Sequence, residues 1–136
     1  MTRLIAIVDR AEDGWFGVAF PDAPGCTAMG ATVNEAISNA TDALSDWVSE
    51  EANAGRSFAA SPIETLLADP EVQAALGSGG FLAQVPVLRN RGKLARINVS
   101  LDEGLLETID ETARTLGVTR SAFLAAAAQE KIRKVA

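Results

Sequence analysis

The chain has 136 residues, with 48% hydrophobic side chains and a formal net charge of −6, a size that suits one ordinary domain or two small ones. That apolar share excludes a disordered, tail-like chain, and no apolar run approaches the ~20 residues needed to cross a bilayer. Histidine is absent, which removes the usual general base near neutral pH and the commonest metal ligand and directs attention from catalysis toward binding.

The N-terminus lacks a basic stretch followed by an apolar core and a cleavage site, so no secretion signal is expected. The single cysteine, Cys26, has no partner for an internal disulfide, which fits a reducing cytoplasm; it reads as a small buried or half-buried residue. The charge is divided. Residues 1–88 carry 12 acidic against three basic side chains (Arg3, Arg10, Arg56), a net of −9, and residues 89–136 carry a net of +3. Such a split points to two modules that face partners of opposite sign, the first repelling nucleic acid and the second able to seek it.

In chain order, the apolar run Leu4–Val8, the turn Glu12-Asp13-Gly14 and the run Trp15–Phe20 predict a hairpin, with Trp15 and Trp47 assigned to the core. Two prolines and a glycine make residues 21–25 a loop, and Cys26 to Gly30 is a third, short strand. Thr32-Val33-Asn34-Glu35 has the form of a capping box. It opens an amphipathic helix with Ala36, Ile37, Ala40, Leu44, Trp47 and Val48 on one face, ending near Gly55, and Asp42, Asp46, Glu50 and Glu51 on the other. Ser61-Pro62 starts a second helix, with Pro62 at its first helical position, Asp69-Pro70 interrupts or restarts it, and Gly77-Ser78-Gly79-Gly80 ends it. That glycine cluster lacks the Lys-Ser/Thr of a phosphate loop and leads into a strand. Phe81 to Val87 is that last strand, returning to the sheet, with Pro86 implying an edge or an end. Residues 89–93 form a basic, turn-prone linker between a domain at 1–88 and a module at 94–136.

From residue 96 the pattern changes to strict alternation, with Ile97, Val99 and Leu101 on one face and Arg96, Asn98 and Ser100 on the other, which is a half-buried strand. Asp102 caps a helix that Gly117 stops, and Thr119 caps a second helix ending in Lys131, Arg133 and Lys134. One strand and two helices bury too little surface to fold alone. Two copies solve this by pairing their strands into an antiparallel ribbon over a shared four-helix core, and a two-stranded ribbon is about the right width for the major groove. Arg96 then suits guanine, Asn98 suits adenine and Ser100 is permissive, while the amides of Arg120 and Ser121 are placed to hold a phosphate.

Residues 94–134 resemble the ribbon-helix-helix repressors, through Arg96-Ile97-Asn98-Val99-Ser100-Leu101-Asp102-Glu103 and Gly117-Val118-Thr119-Arg120-Ser121. Asp102 stands where that family usually has proline. The resemblance implies base reading by Arg96, Asn98 and Ser100, and phosphate contacts at Lys93, Thr119, Arg120 and Ser121. Residues 3–88 resemble the HicB antitoxins, through Glu12-Asp13-Gly14-Trp15-Phe16, Phe20-Pro21-Asp22-x-Pro24-Gly25-Cys26 and the helix start Thr32-x-x-Glu35-Ala36. Together the two resemblances imply an α+β chain, in which a degenerate ribonuclease-H-like domain binds and blocks HicA, a small basic mRNA-cleaving ribonuclease. The complex then represses its own operon as a homodimer or a tetramer. Trp15, Asp22, Asp42 and Asp46 are the candidate toxin contacts, and no cofactor or metal is expected. Two other readings stand beside this one: a solitary transcription regulator whose first domain oligomerises or senses a ligand, and a Mg²⁺ nuclease using Asp9, Asp22 or Glu35.

Overall fold

Alternating apolar side chains fold the first strands as the sequence predicts in the computed structural model, which describes residues 2–90 and 92–135. The chain divides into two compact units, Met1–Arg91 and Gly92–Val135.

Unit 1 is an antiparallel four-stranded sheet in the order β3-β2-β1-β4, with β1 Arg3–Arg10, β2 Phe16–Ala19, β3 Thr27–Gly30 and β4 Phe81–Pro86. Strand β4 is an edge, where Pro86 costs no ladder bond. Leu4, Ala6 and Val8 point to one face and are fully buried with Val18, Phe20 and Val85 against Ala36, Ala40 and Leu44 of helix α1, Val33–Asn53. Thr32 caps α1, its Oγ1 accepting from Glu35 N at 3.1 Å. Gly30 allows α1 to begin directly on the sheet, since a Cβ there would lie 2.3 Å from Ala36 N.

Two short helices follow, α2 Ile63–Leu67 and α3 Pro70–Gly77. Pro62 is the N-cap of α2 rather than its first helical residue, one position from expectation. At Asp69-Pro70 the chain restarts, with Asp69 as cap and Pro70 inside the first turn. Leu66 and Val72 are buried outside the cluster between the sheet and α1. Ser45 Oγ donates to Leu88 O (2.6 Å) and Ser49 Oγ to Asn90 O (3.0 Å), which fastens the end of the unit to α1. Cys26 is buried; burial, and after it the charge of Asp46, push its thiol above the ordinary range.

The placement of Trp15 in the core is wrong. It is 46% exposed, because it lies in register with Ala11 at the hairpin tip, Ala11 N donating to Trp15 O, and alternation turns it to the sheet face away from α1. Trp47 does pack against the core, edge-on to Phe58 with ring centroids 5.8 Å apart, and its Nε1 donates to Pro24 O.

Unit 2 holds α4 Glu103–Leu116 and α5 Arg120–Lys134. Asp102 caps α4 by accepting from Leu105 N, and Gly117 ends it in the left-handed region at φ 71°, a conformation that suits glycine. Thr119 caps α5, accepting from Ala122 N at 3.1 Å. The strand expected over Arg96–Leu101 forms no ladder in the single chain. A ladder needs a neighbouring strand, and the described residues of unit 2 contain none. Ile97 is 78% and Val99 59% exposed.

Candidate functional site

In unit 2 the segment before α4 carries Lys93, Arg96, Asn98 and Ser100, all exposed. Its two rows, polar and apolar, are both open to solvent in one chain. The positions at the start of α5 follow from its cap. Thr119 Oγ1 takes Ala122 N and Thr119 O takes Phe123 N, which leaves the amides of Arg120 and Ser121 as the orphan donors of the helix start, the arrangement that binds anions. The Arg120 side chain is engaged elsewhere. Its Nε and Nη2 donate to both carboxylate oxygens of Asp110, and this fork holds Asp110 below the usual carboxylate range and raises Arg120. So Thr119, Arg120 and Ser121 stand together, with the guanidinium of Arg120 committed to Asp110 although it is exposed to solvent.

The four candidate toxin contacts do not form one surface. Asp42 and Asp46 lie one turn apart on the exposed side of α1. Asp22 is turned to the chain itself, Oδ2 accepting from Ser61 N (2.8 Å) and Oδ1 from Ser61 Oγ (2.7 Å). Trp15 belongs to the sheet face turned from α1. Asp9 on β1, Asp22 in a loop and Glu35 in the first turn of α1 do not converge, and among the described residues no three carboxylates or thiols are grouped to hold a metal ion. Asp110 as the partner of Arg120 and the serine pins at residues 45 and 49 went unseen in the sequence. An aspartate ten residues before a capping-motif arginine was a signal for the first.

An open cavity of about 350 Å³ lies in unit 1 beside the end of α1, lined by Val48, Ala52, Arg56, Phe58 and Arg89 among others. Arg56 there is paired with Glu51 at 2.9 Å, which holds that carboxyl low. No described helix is long and apolar enough to cross a membrane.

The family described as HicB-like antitoxin of bacterial toxin-antitoxin system matches residues 4–128, a span that enters both units. The chain is 33% identical to the antitoxin HicB of Burkholderia pseudomallei, known from a crystal structure, with a TM-score of 0.56 and coverage of 96% of this chain and 98% of that one. It is 29% identical over 109 residues to an uncharacterized 14.9 kDa protein from the rep-hol intergenic region of Haemophilus phage HP1 (strain HP1c1), covering 79% of each. A solved HicA3 and HicB3 toxin-antitoxin complex contains a chain 23% identical, with a TM-score of 0.51, covering 63% of this chain and 98% of that one, a likeness of fold.

Proposed function

Because the chain belongs to the HicB-like antitoxins of bacterial toxin-antitoxin systems, we propose that it binds and inhibits a HicA-type mRNA-cleaving ribonuclease and represses its own operon. Unit 1, with its net charge of −9 over residues 1–88, covers a cationic toxin surface that would otherwise meet RNA. Asp42 and Asp46 on α1 contribute to that field, while Asp22 acts through the loop it braces. The role is regulatory and non-catalytic, exercised in the cytoplasm without a cofactor.

Unit 2 binds operator DNA as a homodimer. What supports this reading is a single observation: the alternating segment Arg96–Leu101 leaves its apolar row exposed in one chain, and a second copy of the same strand is the simplest cover for it. The polar row then doubles into a groove-reading array of Arg96, Asn98 and Ser100. Lys93 and the helix start at Thr119, Arg120 and Ser121 hold phosphates. A tetramer follows if unit 1 also self-associates.

Co-expression with the protein encoded beside this chain tests the first half: a stable complex that suppresses RNA cleavage is expected, and free toxin activity in its presence rejects the idea. Titration with its own upstream DNA tests the second. Affinity should fall steeply with salt and drop on Arg96→Ala and Asn98→Ala, and indifference of the double variant rejects base reading.

A further inference from the structure

Gly17 stands inside β2, where glycine weakens a strand and often marks a close approach by another group. The register sets Asp9 of β1 opposite it on one side and Met29 of β3 on the other. Along β2, Trp15 and Ala19 flank it on the same face, because the bond from Ala11 N to Trp15 O (2.7 Å) continues the pairing of β1 with β2 by one step. All four neighbours are exposed, Met29 to 51%. Asp9 leans over the glycine, since a Cβ added there would lie 2.9 Å from Asp9 Oδ1. The result is a notch with a backbone floor, a carboxylate wall, a thioether wall opposite it and an indole at its head.

Those walls suit one kind of occupant. A lysine or arginine lays its alkyl stem along Met29, sets its charge beside Asp9 and meets the ring of Trp15. A second copy of unit 1 is disfavoured, because Glu12 and Asp13 in the adjoining turn add to a domain charge of −9 that repels its like. Strand addition along β3 is disfavoured too, because Asn39 Nδ2 caps Met29 O at 2.8 Å. From this arrangement we infer that the notch over Gly17 receives a lysine or arginine side chain of the basic protein that unit 1 binds. The inference rests on the antitoxin reading and adds to it the place of contact.

The test uses the full chain and the product of the gene adjacent to its own, with affinities measured by calorimetry and thermal unfolding followed in parallel. Asp9→Asn, Trp15→Ala and Gly17→Val each weaken binding tenfold or more. Gln84→Ala, on the same sheet face but on β4, stays within twofold of wild type. Cycles combining Asp9→Asn with each partner Lys or Arg→Ala find one pair that is non-additive by at least fivefold. Should Gly17→Val perturb the strand, the exposed Asp9 and Trp15 variants still decide the matter. Tight wild-type binding with Asp9→Asn and Trp15→Ala both within twofold overturns the notch and leaves the antitoxin reading standing. So does a change in the sedimentation of the free chain on Asp9→Asn with partner affinity unmoved, which reassigns the notch to a contact between copies. Failure of wild type itself to bind the neighbouring protein sinks both readings, and it is seen before any substitution is made.

Discussion

Arg120 and Asp110 meet fork to fork, Nε on Oδ1 and Nη2 on Oδ2, each at 2.8 Å. The pair ties the first residue of α5 to the third turn of α4, so the guanidinium acts as a strut, and on the proposed operator reading the groups left at that corner for a phosphate are backbone amides. Arg120→Gln is therefore expected to lower operator affinity roughly 3- to 10-fold through misplacement of the helix start, with little change in the slope of log K against log salt. Lys93→Gln, by contrast, should reduce that slope by about one. Salt titrations of both variants check this, and a slope loss of about one in Arg120→Gln would put the guanidinium on the DNA.

The same pair gives unit 2 an acid limb. Hydrogen bonding from Arg120, and then its charge, lower the Asp110 carboxyl. A carboxyl lowered on folding contributes stability that is present above its unfolded value, about 4, and lost as pH falls through the folded value. The melting-temperature gap between wild type and Asp110→Asn is expected to be constant from pH 5 to 7 and to close below about pH 4. Since both partners face solvent, the gap is small and shrinks with salt.

Gly30→Ala should be the most damaging single methyl addition in unit 1. The new Cβ would meet the backbone of Ala36 and Glu35 at 2.3–2.8 Å, so α1 must lift from β3. A loss of about 2–4 kcal/mol is expected from overpacking of this kind, readable by urea denaturation. Thr32→Ala, which removes only the cap, costs about 1 kcal/mol.

Asp22→Asn loses the charge-assisted acceptor for Ser61 N and Ser61 Oγ. With the site half-exposed, about 1 kcal/mol is expected, and Ser61→Ala should lose less because the backbone bond survives. If toxin affinity falls more than stability predicts, Asp22 touches the partner as well.

Val99→Lys places a charge in the exposed apolar row that a second copy would cover in the proposed dimer. Sedimentation should show loss of the unit 2 dimer, with operator affinity down by about 100-fold or more, whereas Ser100→Ala keeps the dimer intact.

Local chemistry was legible. Gly14, Thr32, Asp69-Pro70, Asp102, Gly117 and Thr119 each act through neighbours within a few residues, and each sits at the turn or helix end that its side chain favours. Pro86 likewise announced an edge. What escaped depends on pairing across the chain. The exposure of Trp15 follows from its register with Ala11, and the fate of Asp22 from a serine 39 residues away. The notch at Gly17 exists only because β1 and β3 arrive on either side of β2. A one-residue slip would have turned the same residues inward.

Cys26 gives the molecule a built-in reporter. As the sole thiol, buried in the core of unit 1 and pushed above the ordinary thiol range, it is expected to react slowly with alkylating reagents while unit 1 is closed. Its labelling rate then counts opening events of that domain in the intact chain, so seating a partner on unit 1 should slow the modification in proportion to the stability gained.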